Sequence, residues 1–568
     1  MAERQSIVSH LLIKIDGRDL SPDIQGKVIA VTVDQQVSLP GMVEIRLYDP
    51  ELELLDSGPF DLAKRIEIQG KTVTGATAKL FSGEVTGLEP VLGEGMIAEL
   101  VVRGYDKSHR LYRVCTTRTY LNVKDSDLAS RFAAEVNLKT KIDSTATVYE
   151  HVFQCNQSNL QFLQHRAWRI GYECFIDDDT LHFQRPARDS GKVAVAWGTD
   201  LITFRPRISV TEQVAETQVK GWDIQRKAPI VGISQSGDLH PRIPEKSGEA
   251  WAGSFGPSRM VIIDEPVVSQ AEADLVAAAR QSEWSGAFIE AEGEAFRRPD
   301  IQAGRVITIK GLGKRLSGDY LVTRAIHVYT SGGLHNRFSV TGARSGLLID
   351  QLRVDGERRA WPGLVTAVVT NTEDPNGWGR VKVKYPWLSE DEESYWARVI
   401  AVGAGPASGL AAVPAVDDEV AVFFHQGDFN QPVVLGGLWN GRDSVPDVVR
   451  SAPNGEKPLV RTWQSRTGHK ITMYDNSENR LLVETAGGHT VQLNDAQKTI
   501  SLRSAGGLEI VMDDNGMRIV VKSSGDVEVS AAANLAVKGA NVTIEATGTM
   551  DLKASGPVNV KGAMVNLN

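Results

Sequence analysis

"LAVKGANVTIEATGTMDLKASGPVNVKGAMVNLN", residues 535–568, carries a pattern that constrains every segment before it. Apolar pairs recur at Leu535/Val537, Val542/Ile544, Met550/Leu552, Val558/Val560 and Val565/Leu567, at steps of 7, 8, 8 and 7 residues. A residue and its second neighbour share one face of a strand, so each pair marks a short strand turned toward a core. Gly, Ala, Ser, Thr and Lys fill the turns between them. Upstream the pairs continue as Val491/Leu493, Ile500/Leu502, Ile510/Met512, Ile519/Val521 and Val527/Val529, at steps of 9, 10, 9 and 8. A repeat that shortens toward the C-terminus is the pattern of a tapering β-solenoid or β-prism. After Tyr474 the chain has no aromatic residue, no Cys and one Pro, Pro557. An interior built of Val, Ile and Leu without rings is a narrow one.

Two architectures fit that repeat. One chain could coil alone, with three consecutive segments forming the three sides of each turn. Alternatively three chains wind together, each supplying one side to every layer. At about 4.8 Å per layer, ten pairs coiled alone give three or four turns and a stub of about 20 Å. Three intertwined chains put nearly every pair in its own layer and give a far longer rod, which favours the trimer. Its inward residues are then Ile519, Val521, Val527, Val529, Leu535, Val537, Val542, Ile544, Met550, Leu552, Val558, Val560, Val565 and Leu567.

The remaining chain is compatible with that reading. Its 568 residues suggest three or four domains. A hydrophobic content of 42% and a charged content of 23% belong to a folded chain, and 53 Gly favour tight turns and an all-β bias. The net charge of -9 and the lack of a broad basic stretch argue against a nucleic-acid partner. The start, "MAERQSIVSHLLIKIDG", has early charges and no long apolar core, so no Sec signal is expected and synthesis is placed in the cytoplasm. No run approaches the roughly 18 apolar residues of a spanning helix. Three Cys (115, 155 and 174) make a disulfide framework unexpected and ordinary reduced thiols the simpler reading.

Up to residue 350 the pattern is mixed β with short helices. "LLIKID", "GKVIAVTVDQQV" and "MIAELVVRGYD" alternate as strands. "DSDLASRFAAEVNL" places Leu128, Phe132 and Val136 on one helical face, with Asp125, Ser126 or Asp127 as N-cap. "SNLQFLQHRAWRIGYE" does the same with Leu160, Leu163, Ala167 and Ile170, and Gly171 ends it. A third helix starts at Ser269, with Glu272 completing a capping box. From near Trp361 about five strands follow in roughly 80 residues, the spacing of a small closed barrel of the OB type. Pro446, Pro453 and Pro458 then mark a linker.

The segments "DPNGWGRVKVKYPWL", "YWARVIAVGAG" and "VPAVDDEVAVFFHQGDFNQPVVLGGLWNG" resemble the OB-type barrel of VgrG spikes and phage baseplate hub proteins. The matching residues are Gly379–Val383, Val416–Val420, Gly427/Asp428 and Pro432–Gly436. "VVRGYDKSHRLYR", "TRTYLNVKDSDLA", "CNQSNLQFLQHRAWRIGYECFIDDDTLHF" and "VKGWDIQRKAPIVG" resemble the hub domain of the same spikes, in a style nearest to extracellular contractile injection systems. The resemblance implies a mainly β chain with minor α. Its parts are β-barrel hub domains in 1–355, an OB-fold neck in 356–445, a linker in 446–465, and a C-terminal trimeric β-prism (β-helical) needle in 466–568. It also implies a homotrimer whose hub ring matches the inner tube and baseplate. A PAAR-repeat tip protein would sit at Val565, Asn566, Leu567 and Asn568, effector cargo could ride on the tip, and the target envelope is met on firing. Relatives with a lysozyme insert or a toxic domain suggest the alternative of a hydrolytic, cell-wall-degrading spike. Only about 25 residues separate barrel from needle, so no such insert is expected here.

Motifs for chemistry are weak. "GISQSG" (232–237) has the wrong spacing for a nucleophile elbow, and "KGLGKRLSG" lacks the P-loop spacing and reads as a turn between strands. No H-E-x-x-H or C-x-x-C is present, and His425 is a lone residue with a structural reading. The acidic run Ser389–Ser394 reads as a solvated loop and Asp513/Asp514 as a β-turn. No enzyme activity, cofactor or metal is expected.

Overall fold

The computed structural model describes residues 11–72, 75–94, 97–186, 193–237, 241–342, 363–453, 455 and 457–566. They form two compact units, one ending at Leu438 and the other starting at Trp439. The sequence boundary at 355/356 and the residues Leu567 and Asn568 lie outside the described residues.

The spine of the first unit is an eleven-stranded sheet. Its spatial order is Leu201–Ile208, Ile289–Phe296, Gly333–Val340, Arg324–Thr330, Val28–Gln36, Met42–Tyr48, Ile97–Tyr105, Thr77–Gly93, Arg65–Lys71, Leu11–Ile15 and Arg18–Asp19. Residues almost 300 apart meet at its seam, where Arg324–Tyr329 runs antiparallel to Val31–Gln36. Alternation sets several of its strands: Leu11, Ile13 and Ile15 are buried while Leu12 and Lys14 are only partly so. Ile45, Leu47, Ile66 and Ile68 continue that core.

The three longest helices pack on smaller sheets of the same unit. Asp125–Glu135 and Asn159–Arg169 bury Leu128, Phe132, Leu160 and Leu163 in a second core. Gln270–Gly286 covers the sheet of Glu216–Asp223, Ala228–Ser234 and Arg259–Ile262. Gly232, in the false nucleophile-elbow motif, is there for space: a Cβ would come within 2.2 Å of the Ala273 carbonyl oxygen. The glycines of "KGLGKRLSG" connect Val306–Lys310 to its antiparallel partner Gly318–Leu321.

The barrel has five strands in the order Lys382–Lys384, Val365–Asn371, Glu419–Phe424, Pro432–Gly437, Arg398–Val399. Reciprocal bonds between Val381 and Ala397 (2.9 and 2.7 Å) join its two edges and close it. Val369, Val383, Tyr385, Val420, Val422, Phe424 and Val434 fill it.

The second unit is a seven-stranded antiparallel meander: Val460–Gln464, Lys470–Tyr474, Arg480–Glu484, Thr490–Asn494, Thr499–Arg503, Glu509–Asp513 and Arg518–Lys522. Two expectations change here. The first strand, Val460–Gln464, lies inside the stretch read as linker, where Trp463 pairs with Ile471 and opens the apolar column. A single-chain coil would set consecutive segments on different sides, whereas here each strand bonds its sequence neighbour within one flat wall. From 523 to 566 the chain forms none of the expected short strands by itself, and every described residue from 524 onward is exposed. An extended segment cannot satisfy its own peptide groups, so a strand exists there only with a partner.

Candidate functional site

The wall of the second unit has an apolar face set by register. Cross-strand pairing aligns Trp463, Ile471, Val483, Val491, Leu502, Ile510 and Val521 in one column. A second column two residues away holds Met473, Leu481, Leu493, Ile500, Met512 and Ile519, on the same face. Within one chain this face is open: Val491 is 39% and Ile519 71% exposed. The opposite face carries a mixed middle column of Thr462, Thr472, Leu482, Gln492, Ser501, Val511 and Val520, in which Thr472 is 0% and Ser501 7% exposed. Salt bridges such as Lys470–Glu484 (3.3 Å) and Arg503–Glu509 (2.7 Å) flank it. Polar side chains are thus covered and apolar ones left in water, the reverse of a finished surface.

One edge of the wall is a staircase of five-residue turns, Ser465–His469, Thr485–His489 and Ser504–Leu508. In each, the first residue's hydroxyl accepts the N–H of the fifth, at 3.1, 3.1 and 3.0 Å. The fourth is a glycine with φ of 98°, 87° and 87°, a conformation L side chains avoid. His469 Nδ1 accepts the N–H of Ala486 and His489 Nδ1 that of Ala505 (3.2 and 3.3 Å), stapling each turn to the next.

Of the residues expected to line the needle, Ile519 and Val521 sit on the open face of the last wall strand. Val527, Val529, Leu535, Val537, Val542, Ile544, Met550, Leu552, Val558, Val560 and Val565 lie along the tail, all exposed, Val537 at 72%. Asn566 is exposed as well.

A joint inside the first unit has no counterpart in the sequence reading. The barrel docks on the ribbon of Cys115–Val123 and Tyr149–Ser158. The Thr119 N–H donates to Glu392 Oε2 and the Phe153 N–H to Asn430 Oδ1, both at 2.8 Å. Asn430 is itself held by Asp428, which accepts its N–H and Nδ2–H at 3.0 Å. Phe429 stacks on Phe153 (4.9 Å) and reaches Phe424 and Tyr385 in the barrel core (4.1 and 5.1 Å). The Tyr395 ring packs at a tilt against His151 (5.5 Å) and its hydroxyl donates to Glu150. The acidic run is therefore solvated only in part: Glu390 and Asp391 are exposed, Glu392 grips the ribbon, and Ser394 is buried with its Oγ accepting the Val383 N–H at 3.0 Å. His425 begins a short turn, its N–H bonded to the Gln431 carbonyl. Gly427/Asp428 and Pro432 hinted at this loop, but of the residues that receive it Thr119 lies in the hub-like segment "TRTYLNVKDSDLA" with nothing to mark it as a docking point, and Phe153 lies outside the segments that resemble the hub.

The "DPNG" turn is organised by Asp374. Its carboxylate accepts from the N–H of Asn376 (3.1 Å), Trp378 (2.8 Å) and Arg380 (3.2 Å), and from Arg380 Nη2 (2.7 Å). The Arg380 guanidinium, with those backbone donors behind it, holds the carboxyl well below the usual carboxylate range. Among the described residues no group of three or more His, Cys, Asp or Glu is placed to hold a metal ion.

Comparison with known proteins bears on this architecture. The chain matches the Alg8 N-terminal domain over residues 5–331, more than half its length. It matches the type VI secretion system/phage-baseplate injector OB domain over residues 365–439. The type VI secretion system spike protein VgrG1a of Pseudomonas aeruginosa is 27% identical over 205 residues, 29% of this chain and 31% of the relative. VgrG3 of Vibrio cholerae is 29% identical over 131 residues, 22% and 12% of the two chains. This chain thus spans about a third or less of the length of these curated relatives. Among solved structures, a chain of the lidded Francisella PdpA–VgrG complex aligns with a TM-score of 0.50 at 10% identity, covering 87% of this chain and 79% of that one, a likeness of fold. With a VgrG-like barrel following the larger matched region, the chain belongs to the family of the Alg8 N-terminal domain, carrying behind it the injector OB domain of type VI secretion systems and phage baseplates.

Proposed function

We propose that three copies of this chain form the structural spike of a contractile injection machine. In this reading residues 1–355 are the hub that meets the inner tube and baseplate, 356–445 the neck, and the C-terminal unit the needle. The observation that carries it is the apolar face of the wall, continued by the regular apolar pairs of the tail and left open by a single chain. Two further copies are the natural cover, because three identical walls set face to face bury their apolar columns on one axis. The uncharged run 399–416 of the barrel, with Ile400, Val402, Leu410 and Val413 exposed, is a second surface suited to contact between copies.

The spike acts mechanically, without a catalytic step of its own. Load along the needle would be shared by many short strands sheared together, and closure about the axis would hide edges that otherwise pair with foreign strands. A PAAR-repeat protein at the needle end, with effector cargo, completes the particle, which is built in the cytoplasm and driven outward into a target envelope on contraction. The test is the mass of the full chain by light scattering. Three times 61.8 kDa is expected, and a stable species of 61.8 kDa would overturn the proposal.

A further inference from the structure

We propose that the two histidines of the turn staircase, His469 and His489, form an acid-sensitive switch in the wall. Neutral, they staple its turns together; protonated, they release the turns and put charge at the border of the apolar face. The staples belong to one chain, while their effect on the contact between copies rests on the trimeric reading above.

Register places both rings at that border. The Ser465 N–H donates to the His469 carbonyl at 2.8 Å and the Thr485 N–H to the His489 carbonyl at 3.0 Å, so each extends its hairpin ladder by one rung. Alternate residues of a strand share a face. His469 therefore stands in line with Ile471 and Met473, and His489 with Val491 and Leu493. Leu508 takes the same place in the third turn, beside Ile510 and Met512, and is 48% exposed. The three residues add one more column to the open face, polar in its first two members and apolar in its third.

The staples need uncharged rings. A ring nitrogen accepts a hydrogen bond only while it carries no proton. His469 Nδ1 accepts from Ala486 and His489 Nδ1 from Ala505, which fixes the neutral tautomer with its proton on Nε2. Acid that charges the ring turns this acceptor into a donor facing another donor, and the staple opens. Its contribution is thus complete while the ring is neutral and is lost as pH falls. The second unit has no other His and no Cys, and carboxylates as a class titrate lower, near pH 4.

No carboxylate shares the column with either ring among the described residues of the wall. Arg466 is the one charged residue within the three turns. The pairs Lys470–Glu484 and Arg503–Glu509 adjoin the turns in sequence but point to the opposite face. The connections carrying Asp475, Asp495 and Asp514 lie at the other edge of the wall. In a single chain a charged ring can turn to water, since both histidines are exposed. Three walls set face to face bring two such rings from each copy to the border of one apolar contact, where like charges repel and lose water.

Amide hydrogen exchange on the full chain, read as protection relative to the intrinsic rate at each pH, tests the switch. From about pH 7.5 to about pH 5 the Ala486 and Ala505 amides should lose protection about tenfold more than the strands Arg480–Glu484 and Thr490–Asn494. His469→Asn/His489→Asn sets an amide oxygen, which does not titrate, near the place of Nδ1 and should abolish that loss. His489→Asn alone should abolish it at Ala505 and leave it at Ala486. Equal protection of the wild type at both pH values, or the same loss at Ala505 in either variant, would overturn the switch. Thermal unfolding of the trimer reads the second step: at pH 5 the double variant should melt above wild type, and equal melting there would overturn the effect on the contact. A wild type of single-copy mass at pH 7.5 would take down the trimeric reading and that effect with it, while exchange at Ala486 and Ala505 still decides the staples.

Discussion

Asp374 and Arg380 show what one side chain decides in the barrel. Their side chains are 3% and 7% exposed, so each is a charge that water cannot rescue. Asp374→Ala should destabilise the first unit by about 3–5 kcal/mol, because it strands a buried guanidinium and frees three backbone donors. Chemical denaturation at neutral pH measures it. A carboxyl held low contributes fully above the ordinary Asp range near 3.9 and loses its contribution only as pH falls through the lower, folded value, so the gap to Asp374→Asn should survive mild acid. His151 behaves differently. Burial, helped by the charge of Lys382, lowers its pKa to about 4. The unfolded chain, near 6.5, then binds the proton first as pH drops. Stability from this group is complete above about pH 6.5 and is lost progressively toward pH 4, by about 2–3 kcal/mol in all. His151→Phe keeps a ring against Tyr395 and should remove that component, seen as a smaller fall in Tm from pH 7.5 to 4.5 than in wild type. The turn at Asp374 was legible in "DPNG", but its ionic partner was not, since nothing in one sequence distinguishes Arg380 from a solvated arginine.

At the level of elements, local chemistry was legible and long-range pairing was not. Helix starts follow from caps: Ser269 Oγ accepts the Glu272 N–H at 3.2 Å, opening Gln270–Gly286. Glu272 departs from the expected box, its carboxylate taking the Val268 N–H (3.0 Å) and Arg169 (2.8 Å), because a helix from elsewhere in the chain competes for it. The Asp125–Glu135 helix begins one residue earlier than an Asp125 cap would give, with Asp127 accepting the Lys124 N–H. The seam of the eleven-stranded sheet could not be foreseen: alternation fixes which face of Val31–Gln36 is buried but says nothing of its partner almost 300 residues away. In the wall, periodicity marked the strands from Thr490–Asn494 onward but not the three before them, Val460–Gln464, Lys470–Tyr474 and Arg480–Glu484. In the tail the same periodicity marked the apolar pairs but had no partner within the chain to fix their strands. Val560, in the pair before the last, tests whether these residues turn inward. Val560→Asp would set three carboxylates about one axis and should unzip the needle end, by several kcal/mol per trimer if all are buried. Thermal unfolding of the needle should shift downward, whereas unchanged melting would place Val560 outside.

For the whole first unit the consequential feature is the joint, because it ties the barrel to the ribbon of Cys115–Val123 and Tyr149–Ser158. Phe429 is shared: one side of the ring meets Phe153 on the ribbon, the other the barrel core at Phe424 and Tyr385. Asn430 adds a fixed hydrogen bond to the Phe153 backbone, and Gln426 donates to the Ile263 carbonyl at 2.8 Å. Contacts of this kind make two cores unfold as one, since opening either exposes rings that the other had covered. Phe429 is partly buried, so removing its ring costs less than the about 3–5 kcal/mol of a fully buried one, and an orphaned backbone N–H adds about 1–3 kcal/mol. Phe429→Ala/Asn430→Ala should therefore do more than lower stability. It should separate a single calorimetric transition of sheet and barrel into two, the barrel melting first, because the smaller core has lost a larger share of its contacts. A control, Val91→Ala at an exposed site on the Thr77–Gly93 strand, should leave the single transition in place. If the double variant still unfolds in one step at a lower temperature, the coupling resides in Thr119–Glu392 and Tyr395–Glu150 instead, and the same calorimetry on Glu392→Gln and Tyr395→Phe would locate it.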